Sequence, residues 1–161
     1  MTALLTHSGG CQCGAVRYRA KGELAYPHIC YCRMCQKASG NYFMPFAGVA
    51  RQDFEITRGE PSWFQSSDMV RRGFCSACGT PLFYNIPEAD FINVTLGSLD
   101  NPSVLLPVAQ SNLDSKMPWF HLLDGLDHEP AASTVERART IQQSNHQHPD
   151  RDTETWPEEK S

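Results

Sequence analysis

The chain has 161 residues, enough for one folded domain, and 40% of them are hydrophobic, which argues against wholesale disorder. The formal net charge is −4 and no basic stretch is longer than Arg71-Arg72, so a footprint for nucleic-acid phosphates or an anionic membrane is missing. Nowhere do about 18 consecutive apolar residues occur, which excludes a transmembrane helix, and Met1 to Ser8 carry neither a basic leader nor an apolar run of signal-peptide length.

The chain divides into a patterned body, residues 5–126, and a polar extension, residues 127–161. Gly9-Gly10 reads as a turn. Val16, Tyr18 and Ala20 alternate with Arg17 and Arg19, a period of two that fits a half-buried strand. Arg33 to Ser39 reads as a short helix. Phe54 and Ile56 alternate with Glu55 and Thr57, and Leu82-Phe83-Tyr84 fits a short buried strand. In Phe91 to Leu96, one face would carry Ile92, Val94 and Leu96 and the other Asn93 and Thr95. Gly59-Glu60-Pro61, Pro87 and Asn101-Pro102 punctuate these runs, and a second helical stretch follows Pro118. The pattern predicts a mainly β domain. In the extension, Ser133 to Glu136 forms a capping box ahead of a narrow stripe of Val135, Ala138 and Ile141, so one short helix is expected. From Asn145 onward little remains to bury, and a disordered, solvated tail that includes His146 and His148 is expected.

The seven cysteines cannot all pair within one chain, and they fall into three tight clusters rather than scattering as buried apolar residues would. The clusters are Cys11-Gln12-Cys13, then Cys30-Tyr31-Cys32-Arg33-Met34-Cys35, then Cys75-Ser76-Ala77-Cys78-Gly79. Two-residue spacings let one tight turn present two sulfurs to one ion, so metal ligation, with zinc ahead of iron–sulfur, is expected instead of disulfides. Reduced thiols in turn point to the cytoplasm. Seven ligands divide as a closed site of four and a site of three with an open position. Two partitions stand. One joins Cys32 and Cys35 to Cys75 and Cys78. The other joins Cys11 and Cys13 to Cys75 and Cys78 and keeps Cys30, Cys32 and Cys35 together; spacing favours it slightly. His28 as a fourth ligand would close the second site as Cys₃His.

Three stretches resemble the glutathione-dependent formaldehyde-activating enzyme family, whose domain also occurs in centromere protein V: Gly10 to Tyr18, Cys30 to Gly40 and Phe74 to Leu82. Asn93 to Asp100 and Pro118-Trp119 add to the likeness, which spans the body but not the tail. The resemblance implies an all-β, Mss4-like fold with two zinc ions per chain. It implies a structural zinc on Cys11, Cys13, Cys75 and Cys78, and a catalytic zinc with an open fourth position on Cys30, Cys32 and Cys35. Many members place His between the first two cysteines of the second cluster, where this chain has Tyr31.

The activity so implied is that of a carbon–sulfur lyase combining glutathione with formaldehyde to give S-hydroxymethylglutathione. Three thiolates soften the metal and suit a sulfur substrate more than water. The partners are then a small thiol and an aldehyde, with no nucleic acid and no membrane. Glutathione brings two carboxylates, for which Arg33, Lys37, Arg71, Arg72 and Lys116 are the candidate cations, and Trp119 and Phe120 are candidate pocket walls or core residues. The rival class is a zinc-stabilised thiol carrier or protein-interaction module without turnover. An exchangeable fourth ligand favours the enzyme, and closure by His28 favours the module.

Overall fold

The computed structural model describes residues 5–127 and 132–155 of the chain. Among these the strands are β1 (Thr6–Gly10), β2 (Arg17–Lys21), β3 (Ala25–Cys30), β4 (Met44–Ala50), β5 (Phe54–Arg58), β6 (Ser62–Gln65), β7 (Arg71–Phe74), β8 (Pro81–Asn85), β9 (Phe91–Thr95) and β10 (Ala109–Ser111). The α-helices are α1 (Arg33–Ser39) and α2 (Ala132–Gln143). The fold is mainly β, as the alternation predicts. One sheet has the order β1-β2-β5 and the other β10-β3-β4-β9-β8-β7-β6; every pairing is antiparallel except β10 with β3.

The core lies between the two sheets. Val16, Tyr18 and Ala20 face Ala47, Val49, Phe83, Ile92 and Val94 across it, with Leu82 fully buried alongside. Each aliphatic side chain so placed contributes about 1.5–3 kcal/mol relative to exposure. The Tyr18 and Phe83 rings meet edge to face at 5.3 Å, and Phe54 meets Phe83 at the same distance. Burial pushes the Tyr18 phenol well above its ordinary range, and the buried hydroxyl is satisfied by Ser98 Oγ at 2.7 Å. With this face of the large sheet turned to the core, the opposite face of β3, β4, β9 and β8 presents His28, Phe46, Tyr84 and Asn93, which line a cavity.

Several sequence expectations change. Gly9-Gly10 forms no turn: both lie in β1, and a Cβ on Gly9 would meet Ser98 O at 2.5 Å and the Tyr18 ring at 2.6 Å. The glycine there serves close approach, not positive φ. The stretch after Pro118 is a 3₁₀ helix, Phe120–Gly125, with no continued α-helical ladder. β4 escapes an alternation search because both faces are covered: Met44 and Phe46 are buried on one side, Ala47 and Val49 within the two-sheet core. In α2, Val135 and Ile141 are exposed, and the capping box involves Ser133 and Thr134, whose side chains lie outside the described residues.

The segment after α2 departs most from expectation. His148 is buried, its N–H donates to Gln12 O at 2.8 Å, and its ring contacts Arg58 and Thr153. Asp152 bridges Arg17 at 2.8 Å and Arg19 at 3.0 Å, while Arg58 donates to the Thr153 carbonyl. Arg17, on the polar face of β2, is buried because Asp100 and Asp152 both cover it. Ion pairs on Arg17 and Arg19, with hydrogen bonds from Arg58, do what apolar content could not. Trp156 lies outside the described residues.

Candidate metal-thiolate centres

Cys11, Cys13, Cys75 and Cys78 converge, with their ligand atoms all within 4.8 Å of one another. Two tight turns bring them together, one following β1 and one joining β7 to β8. In the first, Gly14 donates to Cys11 O at 3.0 Å and sits at φ 81°; in the second, Gly79 donates to Cys75 O at 2.8 Å and sits at φ 78°. Such left-handed turns need glycine, as the sequence suggested at Gly79. The Cys11–Cys13 and Cys13–Cys75 sulfur separations are 3.6 and 3.9 Å. Four thiolates tetrahedrally placed about 2.3 Å from a zinc-sized ion have an edge of about 3.8 Å, so the quartet fits such an ion.

The sulfurs differ in acidity. Burial pushes Cys11 up to about 12. At Cys78 burial acts in the same direction but is outweighed by hydrogen bonds from the Thr80 hydroxyl and backbone, leaving it at about 6. Cys78 thus ionises readily, whereas Cys11 gives up its proton only when a metal displaces it.

Cys30, Cys32 and Cys35 form a second group within the same limit. Cys30 ends β3, where it pairs with Met44 of β4 and Ser111 of β10. Cys32 caps α1, its sulfur accepting from Cys35 N–H at 3.4 Å, and Gly40 closes the helix at φ 64°. Asn112 Nδ2 donates to Cys30 Sγ at 3.3 Å and Arg72 Nη2 donates to Cys35 Sγ at 3.4 Å. Burial pushes Cys35 up to about 12 despite Arg72, whereas at Cys30 burial is outweighed by hydrogen bonds from Cys32 N–H and the Ser111 side chain, so Cys30 lies below its ordinary value. Three sulfurs leave one position of a tetrahedral ion unfilled.

That trio lines a cavity of about 360 Å³ with His28, Phe46, Tyr84, Arg72 and Asn93. His28 lies in the cavity wall but outside the three-sulfur group among the described residues. Its Nδ1 is 2.9 Å from Tyr26 O, and since a carbonyl only accepts, Nδ1 carries the proton and Nε2 is the free lone pair of the neutral ring.

The candidate cations separate. Arg72 is buried against the trio, and its guanidinium also sits 5.0 Å over the Tyr84 ring. Arg33 and Lys37, with Arg72, line an adjoining cavity of about 420 Å³. Arg71 instead covers Trp63, and Lys116 donates to Gln110 and lies over Tyr31. Tyr31 is buried, donates to Gln110 Oε1 at 3.1 Å and packs on Phe43 and Phe120, away from the trio's cavity. Trp119 packs on Tyr42 and Phe120. Sequence reasoning missed Asn112. Its one signal is local: Asn tolerates the left-handed conformation it adopts here, φ 57°.

A mainly β domain with one closed group of four thiols and one open group of three, each able to hold a metal ion, defines the class of protein. The chain belongs to the glutathione-dependent formaldehyde-activating enzyme family, whose sequence pattern matches residues 6–115, and its fold is the Mss4-like fold of that family. It is 33% identical over 90 residues to a Halomonas elongata protein named after the same family. That match spans 50% of this chain and 56% of the relative, so the chain covers little more than half of its length. A crystal structure of a Rhodobacter sphaeroides protein shares the fold, with a TM-score of 0.53 at 24% identity, covering 65% of this chain and 99% of that one. No helix among the described residues is long and apolar enough to cross a membrane.

Proposed function

We propose that this chain is a zinc-dependent carbon–sulfur lyase that makes and breaks the bond between a thiol such as glutathione and the carbon of formaldehyde or another small aldehyde. The observation that carries the reading is the open trio, Cys30, Cys32 and Cys35, set in the wall of a cavity large enough for a small substrate. Zinc on Cys11, Cys13, Cys75 and Cys78 would brace the fold, and zinc on the trio, when bound, supplies a soft Lewis acid that favours a substrate sulfur as its thiolate. Family membership and the relative's name point the same way.

The chain's own residues account for the rest of the chemistry. Arg72 places a buried positive charge beside sulfurs whose anionic character grows as a substrate thiolate enters. Asn112 donates to Cys30 and holds it in position. Arg33 and Lys37, in the adjoining cavity, match the carboxylates of glutathione. His28 Nε2 is the proton acceptor for the hydroxyl of the thiol adduct. In cleavage that proton passes to Nε2, the C=O bond forms, and the carbon–sulfur bond breaks with its electron pair leaving on sulfur. In synthesis the protonated ring returns the proton to the nascent oxygen. The reducing cytoplasm is the compartment that keeps all seven thiols available.

Exchange between free ¹³C-formaldehyde and its glutathione adduct can be followed by NMR with the zinc-loaded protein. Exchange faster than the uncatalysed rate, and lost when Cys32→Ser removes one sulfur of the trio, is expected. An uncatalysed rate at every protein concentration, with both metals bound, would identify a thiol carrier or interaction module instead.

A further inference from the structure

The cavity that holds the three sulfurs does not end at them. His28, Tyr84 and Asn93 also line a second hollow on the same sheet face, about 510 Å³, which runs on past Gly48 and Ala50 of β4 to Ile86 and Phe91. An apolar cavity of about 150 Å³ already accommodates benzene, so the space is generous. Its floor is Gly48, where an added Cβ would meet nothing closer than 3.6 Å. Its rim is Tyr26, more than half exposed and held at φ 47°, a conformation that costs a non-glycine residue energy. The extra residue of β3 between Ala25 and His28 creates that kink and brings the Tyr26 ring to 5.1 Å from His28. Among the described residues of the lining, Asp90 is the only carboxylate and no lysine or arginine is present.

The two ends of the site thus differ in chemistry. Arg33, Lys37 and Arg72 lie on one side of the trio and an apolar hollow with one carboxylate on the other. A carboxylate-bearing thiol suits the first and is repelled by the second. His28, the proton partner of the adduct oxygen, stands where the two cavities meet, so whatever else is attached to the carbon bearing that oxygen extends into the hollow. Formaldehyde has only hydrogens there and would leave it empty.

We infer that the hollow receives the organic substituent of the aldehyde carbon, and that the preferred aldehyde is an apolar one larger than formaldehyde, branched aliphatic or arylalkyl. This rests on the lyase reading and names its substrate class.

The test compares the zinc-loaded protein with Gly48→Leu, which fills the hollow from its floor at a position without positive φ. The rates of glutathione adduct formation with formaldehyde, 3-methylbutanal and phenylacetaldehyde are measured for both. The native protein should favour the larger aldehydes about 10- to 100-fold in kcat/KM. Gly48→Leu should erase that preference, lowering the rates with the two larger aldehydes far more than the rate with formaldehyde. Equal rates for all three aldehydes, or a parallel loss of all rates in a folded, zinc-replete Gly48→Leu, would overturn the proposal. Binding of 2-phenylethanol, followed by NMR shifts of Ala25, Ala50 and Phe91 amides, reads the hollow without turnover and so separates its failure from that of the lyase reading. Saturable shifts in the native protein, weakened about tenfold by Phe91→Ala, support the hollow even if Gly48→Leu does not fold. Absence of those shifts would overturn it.

Discussion

Arg72 donates from Nη2 to Cys35 Sγ at 3.4 Å, and both residues are buried. The same guanidinium reaches Ser66 Oγ through Nε at 3.0 Å, so its planar fork is oriented by three elements at once: β7, α1 and the turn after β6. A charged donor fixed on one sulfur of the trio would temper the negative charge of a metal-thiolate centre there. Arg72→Leu should therefore weaken metal binding at the trio about 10- to 100-fold while sparing the quartet. Competition with a graded chelator, counting metal released in each phase, reads this directly. Simultaneous weakening of both phases would mean that Arg72 acts on the fold and not on the trio.

The two thiolate groups should fail differently. The quartet joins the turn after β1 in the small sheet to the β7–β8 turn in the large one, so a metal bound there would add its binding free energy to folding. Cys78→Ser should cost several kcal/mol or more. Cys32→Ser lies at the end of the large sheet beside α1 and should leave a folded domain that has lost only its second metal and its activity. Circular dichroism melting curves and elemental analysis on both variants are the check, with equal loss of structure as the contrary result.

Truncation after Asn145 should be felt. Gln12, Arg17, Arg19 and Arg58 all have partners in residues 148–153. Net values of about 1 kcal/mol per hydrogen bond, lower for the half-exposed Asp152 pair and partly offset by the entropy of ordering the segment, suggest a loss of about 1–3 kcal/mol and a melting temperature lower by several degrees. An unchanged melting temperature would show that the segment adds nothing to stability.

The same docking should depend on pH. Burial, the Arg17 charge and the Arg58 charge lower His148 below its ordinary 6.5, with Pro149 O and Asp100 opposing them. A depressed histidine is protonated more readily in the undocked chain, so this contribution is complete above about pH 6.5 and declines as pH falls below it. Asp152 is buried enough to be raised, but Arg17 and Arg19 outweigh that and hold it below its ordinary 3.8; its share is lost only as pH falls further, through its folded value. The difference in melting temperature between full-length and truncated protein should shrink from pH 7.5 to pH 5, and using the difference cancels metal loss common to both. A constant difference would remove His148 from the account.

What the sequence revealed follows from how local each signal is. β2, β5 and β9 were legible because one face of each is apolar, β8 because Leu82-Phe83-Tyr84 is a short continuous apolar run, and α1 because Cys32 and Gly40 bracket it. The three cysteine clusters were legible as clusters, and the resemblance supplied the partition that the structure shows among its sulfurs. Spacing favours it only slightly, because 39 intervening residues say little about which turns meet across two sheets. β4 stayed hidden behind burial on both faces. Docking of His148 and Asp152 stayed hidden because it depends on arginines 90 and 135 residues away in sequence, Arg58 and Arg17. Tyr31 stands between two cysteines where many family members have His, yet its side chain turns towards Gln110 and Phe120.

On the lyase reading, Cys30, Cys32 and Cys35 leave one metal position for a substrate thiol. Cobalt substituted at the trio reports this, because each added thiolate strengthens the sulfur-to-metal absorption near the ultraviolet. Titration with glutathione should raise that band in a saturable way, more weakly as pH falls and protons compete for the incoming sulfur. Subsequent addition of aldehyde should shift it again. A spectrum that ignores glutathione and other thiols alike, and that begins to respond only after His28→Ala, would mean that His28 fills the fourth position and would contradict the lyase account.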